Sequence, residues 1–151
     1  MKTSKFAEEI IKTAEENKKK GFVSNIEEDT VNNNFFRKVL YTGEHCQLVL
    51  MSLKPKEDIG EEVHEDTDQF FRIDSGSGVV VINDKETKIK DGFAIVIPAG
   101  AKHNVINTGV KDLKLYSLYA PPHHKDGTIH KTKKDVKEEE FDGKTTEWSY
   151  C

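Results

Sequence analysis

Two hydrophobic periods divide the chain. Over residues 4–20 the apolar positions recur at helical spacing: Phe6, Ile10 and Ala14 form one stripe, with Ile11 beside it. Ser4 suits the N-cap. Gly21 suits the stop, after three lysines at the negative end of the helix dipole. This predicts a helix packed on the outside of a β-rich core. From Phe35 to Ala120 the pattern shortens to strands: Phe36–Tyr41, Gln47–Leu53, Gln69–Asp74, Val79–Asn83, Phe93–Ile97, His103–Asn107 and Leu113–Ala120. Turn signals separate them at Thr42-Gly43, Asp74-Ser75-Gly76, Asn83-Asp84, Asp91-Gly92 and Thr108-Gly109. Short strands at regular spacing predict an all-β sandwich or barrel. A doubly wound fold needs helices between strands, and there is no room for them. Leu48-Val49-Leu50-Met51 and Val79-Val80-Val81-Ile82 are apolar on both faces. One face lines the interior; the other requires cover from the N-terminal helix or a second subunit, so a homodimer is expected. Beyond Pro121 the chain is polar and irregular. Residues 131–140 suit a charged helix, and Phe141, Trp148 and Tyr150 suit anchors for the tail. The expected division is an N-terminal helix and lead-in (1–34), a barrel (35–120), and a tail packed on or over the barrel (121–151).

Composition narrows the class. A chain of 151 residues suits one domain, and it is long enough to bury a core without disulfides. The net charge of −4 lacks the basic excess of a nucleic-acid binder. Cys46 and Cys151 make no disulfide framework, so a reducing cytoplasm is the expected setting. Cys46 sits in an apolar run and reads as a small buried hydrophobe. Residues 1–20 lack the apolar stretch of a signal peptide. No apolar run approaches the roughly 18 residues of a membrane span, and no membrane partner is expected.

The chemistry concentrates after Gly60. Glu62 and His64 are two apart, so an extended segment points both to one face. Gln69, Phe71 and Ile73 share a face of the next strand; His103, Val105 and Asn107 share a face of another. If all three faces are interior, a carboxylate, two imidazoles and an amide oxygen converge. Two histidines and a carboxylate on one side of a metal, with open positions opposite, form the arrangement of many non-haem iron sites. Zinc, manganese or nickel also suits the set. Each residue alone has a plainer reading: His103 as a satisfied core residue, Glu62 as a solvated acid among Glu57, Asp58, Glu61, Glu65, Asp66 and Asp68, and Gln69 as a partner of neighbouring backbone. Phe71 is core or pocket lining. Arg37, Tyr41 and Arg72 suit an anionic substrate group or a surface role. His123 and His124 are adjacent, and on an extended chain they point opposite ways. No Ser/His/Asp triad and no phosphate-cradling glycine loop is evident.

These residues carry a family resemblance. Gly92-x5-Pro98-x-Gly100-x2-His103-x3-Asn107 resembles the second cupin motif at every position. Glu62-x-His64-x4-Gln69-x6-Gly76 is similar to the first, which runs His-x-His, then Glu, then Gly; Lys56 stands where a glycine usually opens it. The wider sequence through His130 resembles small cupins of the mannose-6-phosphate isomerase-like kind. The resemblance implies a double-stranded β-helix, or jelly-roll, barrel and a divalent metal. His64 and His103 stand at ligand positions, Glu62 where the first histidine would be, and Gln69 where the glutamate would be. The exchange keeps one negative charge against a divalent cation, while Gln69 offers only a neutral carbonyl oxygen.

Two functions suit this set of residues. The first is a metal-dependent enzyme on a small polar molecule such as a sugar or sugar phosphate, isomerase-like or, at iron, a dioxygenase. Glu62 would be a ligand or, if not, a general base, in a pocket lined by Phe71, Ile73, Val105, Asn107, Tyr41 and Arg37. The second is a non-catalytic cupin that binds or senses a small ligand, with a structural metal or none.

Overall fold

The computed structural model describes residues 4–8 and 19–148. The elements defined there include a short helix and nine strands: α1 (Ile26–Asn32), β1 (Arg37–Thr42), β2 (Gln47–Leu53), β3 (Asp68–Ser75), β4 (Ser77–Ile82), β5 (Lys85–Lys90), β6 (Ala94–Ile97), β7 (His103–Ile106), β8 (Leu113–Ala120) and β9 (Ile129–His130). They form two antiparallel sheets. The larger has the order β6-β3-β8-β2-β1-β9, the smaller β5-β4-β7. The segment before β3 extends the smaller sheet through bridges Asp58↔Ile106 and Glu62↔His103. The all-β barrel expected from the strand pattern is therefore the architecture found.

Alternation along each strand explains the packing. On β2 the interior face carries Gln47, Val49, Met51 and Leu53; on β3 Gln69, Phe71 and Ile73; on β8 Leu113, Leu115, Ser117 and Tyr119; on β7 His103 and Val105. Cross-strand register aligns Gln69, Tyr119 and Gln47 in one row. Ile73, Leu115 and Met51 align in another. The polar row thus sits at one end of the interior and the aliphatic row deeper in.

Several expectations change. β5 is not legible as a strand because its sequence, Lys85-Glu86-Thr87-Lys88-Ile89-Lys90, buries only Ile89. It is a charged edge strand, which discourages pairing with other chains. It succeeds β4 through Asn83 and Asp84, both at positive φ (47° and 69°), the backbone of a tight hairpin. Helix α1 is likewise absent from the sequence pattern. It has no apolar stripe, and it is set by its caps. The Asn25 side chain accepts from the Glu28 N–H at 3.1 Å, and Glu27, Glu28 and Asp29 occupy the positive end. Lys114, buried on β8, docks it by donating to the Asn33 carbonyl and the Asn34 side chain.

Of the N-terminal helix expected over 4–20, residues 5–8 are helical. The Ser4 hydroxyl accepts from the Ala7 N–H at 3.2 Å. Phe6, expected on the buried stripe, is 72% exposed. Ile10, Ile11 and Ala14 lie outside the described residues. The charged helix expected over 131–140 reduces to a single 3-10 turn, Lys133–Asp135, closed by reciprocal Thr132 and Asp135 hydrogen bonds. Cys46, expected to be buried, is exposed in the β1–β2 turn. The tail is anchored less by Trp148, which is exposed, than by Glu147, which is buried. The Glu147 carboxylate accepts from the Tyr41 hydroxyl at 2.6 Å and from the backbone N–H groups of Lys20 and Gly21. Tyr150 lies outside the described residues.

Gly76, at φ 91°, makes the turn between β3 and β4, and a Cβ there would lie 2.6 Å from the Asp112 carbonyl oxygen. Gly76→Ala should therefore combine backbone strain with a clash against rigid main chain. The expected cost is about 2–4 kcal/mol in urea unfolding; a loss below about 0.5 kcal/mol would show that the turn rearranges freely.

Candidate metal centre

Backbone pairing builds the site. Glu62 and His103 exchange both N–H···O=C bonds, at 2.9 and 3.0 Å. In an antiparallel pair this sets the two residues directly opposite, with side chains on the same face. His64, two residues after Glu62, returns to that face. Its carbonyl accepts from the Gly100 N–H at 2.8 Å, tying the loop to the Pro98–Ala101 turn before β7. Gly100 (φ 86°) occupies a conformation that disfavours side chains.

The result is a cluster in which one ligand atom each of Glu62, His64 and His103 lies within 4.8 Å of the others. The rings of His64 and His103 are 5.4 Å apart, and His64 Nε2 lies 3.0 Å from Glu62 Oε2. His103 is 1% exposed. The side chains of His64 and Glu62 are 9% and 26% exposed, so the cluster opens to solvent on the Glu62 side. A cleft of about 340 Å³ meets the cluster at His64, lined also by Val63, Thr67, Pro122, His123 and Phe141, with Glu65, Asp66 and Glu140 at its walls.

Protonation is set locally. His103 Nδ1 lies 3.0 Å from the Ala101 carbonyl, which accepts only if that nitrogen carries the proton. The Nε2 lone pair then faces the interior, buried and without a partner. Burial holds the His103 pKa below the usual histidine value, against a smaller upward push from that hydrogen bond. For Glu62, burial works against the charged form. The hydrogen bond with His64 and the charges of His64, Arg37 and His103 together outweigh it, and its pKa is lowered. Gln69 donates to the Ser117 hydroxyl at 2.9 Å, and its Oε1 is buried with no partner. Buried polar atoms are rarely left unpaired. His103 Nε2 is such an acceptor within the cluster that holds the Glu62 carboxylate, and Gln69 Oε1 is a second on the interior face of β3. That donor set fits a divalent cation.

The other expected residues serve different ends. Phe71 packs 6.5 Å from the His103 ring, and Ile73 and Val105 are core. Asn107 spends its side chain on backbone, donating to the Leu53 and Lys111 carbonyls and accepting from Gly109 N–H. Arg37 is buried on the inner face of β1. Tyr41 is turned to the tail, bonded to Glu147 and stacked on Phe22. Arg72 pairs loosely with buried Asp74, at 3.7 Å.

Three contributors have no place in the sequence-based site. His123 lies 4.3 Å from the His64 ring and stacks on Tyr119 at 5.4 Å. His124 meets the Tyr119 ring edge-on, with Nε2 3.2 Å from the hydroxyl. The two histidine rings are 4.8 Å apart, not opposed as an extended chain would have them. The reason is Gln47: its Oε1 accepts from both His123 and His124 N–H, at 3.2 and 2.9 Å, and its amide donates to the His124 carbonyl at 2.7 Å and to Thr42 Oγ1 at 2.9 Å. Successive N–H groups converging on one acceptor cannot belong to an extended strand. A glutamine opening an otherwise apolar strand is the signal the sequence offers.

The geometry defines a β-barrel with a metal-sized cluster at one end, and comparison with known proteins agrees on the fold. The cupin domain family matches residues 49–119. The chain is 51% identical over 123 residues to the uncharacterized protein YrkC of Bacillus subtilis, covering 78% of this chain and 66% of that protein, slightly under two thirds of its length. It is 46% identical over 117 residues to the uncharacterized protein L612 of Acanthamoeba polyphaga mimivirus, covering 75% and 73%. The crystal structure of BH2720 from Bacillus halodurans superposes with a TM-score of 0.76 at 48% identity, covering 77% of this chain and 92% of that one. This chain belongs to the cupin superfamily.

Burial, with the charge of Arg37 next, pushes the His124 pKa down to about 2. The unfolded chain protonates near 6.5 and the folded one does not, so stability is whole above pH 6.5 and falls as the pH drops below it. The slope from this group is about 1.4 kcal/mol per pH unit. Acid unfolding of His124→Gln should be flatter than wild type between pH 6 and 4; parallel curves would show that His124 does not titrate on unfolding.

Proposed function

We propose that this cupin is a metal-dependent protein acting on a small polar molecule, of the class of sugars or sugar phosphates. Glu62, His64 and His103 would hold a divalent cation (zinc, manganese, iron or nickel), with Gln69 Oε1 as a further oxygen donor. The observation that carries this is the cluster of Glu62, His64 and His103, with one ligand atom of each within 4.8 Å of the others and His103 Nε2 buried without a partner. Bound there, a divalent cation supplies Lewis-acid polarisation of a carbonyl or hydroxyl.

The chain's own groups do the rest. The Ala101 carbonyl fixes the His103 tautomer and the angle of its ring. Glu62, whose side chain is the more exposed of the His64–Glu62 pair, would accept a proton from a bound molecule when not bound to metal. Burial raises the Tyr119 pKa, so its hydroxyl keeps its proton beside His124 Nε2. Phe71, fully buried, packs against the His103 ring and shields that side of it from water. The exchange of a carboxylate between positions 62 and 69 also favours a second reading, a non-catalytic cupin that binds or senses a small ligand, with a structural metal or none.

Metal analysis separates the metal-dependent reading from a metal-free binding cupin. Protein purified without chelator or affinity tag should carry close to one divalent ion per chain. His64→Ala and His103→Ala should each weaken binding by at least about 10- to 100-fold. Metal-free wild type, with melting unchanged by added chelator, would sink the metal reading.

We also propose a homodimer. On the outer face of the larger sheet, register places Val96, Phe70, Leu118 and Leu48 in one row across four strands. Val96 is 65% exposed. Light scattering should give twice the chain mass, and Val96→Lys with Leu118→Lys should give the monomer; a wild-type monomer at micromolar concentration would refute it. The exposed free thiol of Cys46 suits a reducing, cytoplasmic setting.

A further inference from the structure

Arg37 poses a problem that the metal site does not absorb. It is 4% exposed, on the inner face of β1 opposite Met51 and His130. A buried guanidinium is ordinarily paired with a carboxylate. Among the described residues no carboxylate lies within ion-pair distance of it. Its one hydrogen bond is to His130 Nδ1, at 3.2 Å, and its Nε is buried with no partner. The Phe36 ring, 5.3 Å away, offers only a weak counterpart.

Arg37 and the cluster of Glu62, His64 and His103 face one barrel interior, Arg37 from the inner face of β1. Its charge is felt by His124, in the segment roofing the cluster, and by His130 on β9. Without metal, Arg37 and Glu62 carry opposite single charges into the interior. A divalent cation on Glu62, His64 and His103 would leave that interior with two uncompensated positive charges. A net charge so buried is costly until an anion joins it. The unpartnered Nε belongs to the Nε–Nη edge of the guanidinium, whose two parallel donors match a carboxylate or phosphate. Glu65, Asp66 and Glu140 at the cleft are negative, but they are exposed and screened within about 8 Å at physiological salt.

Resting on the metal site proposed above, we infer that Arg37 is the anion receptor of this interior, and that the molecule bound there carries a carboxylate or phosphate group. Two sources share that chemistry, a carboxylic acid and a phosphate monoester, and malonate and inorganic phosphate serve as their probes.

The test is calorimetric titration of each probe into the metal-loaded and the metal-free protein, with metal content measured in parallel. Wild type should bind at least one probe, more tightly when loaded. Arg37→Met should keep its metal and lose probe affinity by tenfold or more. Arg37→Lys, which keeps the charge without the fork, should lose affinity for the same probe. In anion-free buffer, Arg37→Met should melt no lower than wild type, because it removes an uncompensated charge. A residue that only pins His130 would instead lower the melting temperature when removed and leave anion binding untouched. Probe affinity unchanged in Arg37→Met, or no probe binding in either form of wild type, overturns the assignment. Arg37-dependent binding in a protein that holds no metal would retain the assignment and discard the metal reading.

Discussion

The reciprocal hydrogen bonds between Glu62 and His103 are the constraint on which the site depends. They join two segments 41 positions apart, so neither side chain's position is set by its own neighbours in sequence. Antiparallel pairing allows no half-step: a slip of one residue would turn Glu62 to the opposite face, and His64 with it. The Gly100–His64 bond fixes the loop one step further along. Ligand geometry is thus written in main chain, and the side chains have little freedom left to lose. Preorganisation of this kind is what a metal or substrate site requires.

Around this pair the interior changes character along the barrel axis. Deep positions are aliphatic, held by Ile73, Leu115, Met51 and Leu53. The mouth carries Gln69, Tyr119, Gln47, His103 and Glu62. Burial acts on these groups in opposite senses. It lowers the pKa of His103, His123 and His124, and it raises that of Tyr119. Glu62 is lowered only because neighbouring imidazoles and Arg37 outweigh the burial penalty. At neutral pH the mouth presents uncharged nitrogen donors, one carboxylate and a protonated phenol, a set suited to a cation and a polar ligand together.

How far the sequence discloses this depends on the range of each interaction. The strands are legible where one face is buried, because alternation records burial, and β5 is not, because an exposed edge has no such record. The pairing of Glu62 and His64 with His103 is legible through local spacing joined to the cupin motifs. Helix α1 escapes because caps and a docking lysine make it, not an apolar stripe. The His123–His124 segment escapes for a related reason. Its shape is imposed by Gln47, 76 and 77 positions away, and nothing in the local sequence distinguishes it from an extended chain. Cys46 differs from expectation because an apolar run abuts a turn that faces solvent.

The Gln47 side chain has a consequence for the barrel's architecture. One primary amide, with both of its protons and its oxygen engaged, carries the ceiling above the ligand cluster, while the floor is laid by separate strands. Ceiling and floor can therefore diverge independently. A descendant that altered only the stretch after β8 would inherit the same cation donors under a differently shaped vestibule, and so admit different guests.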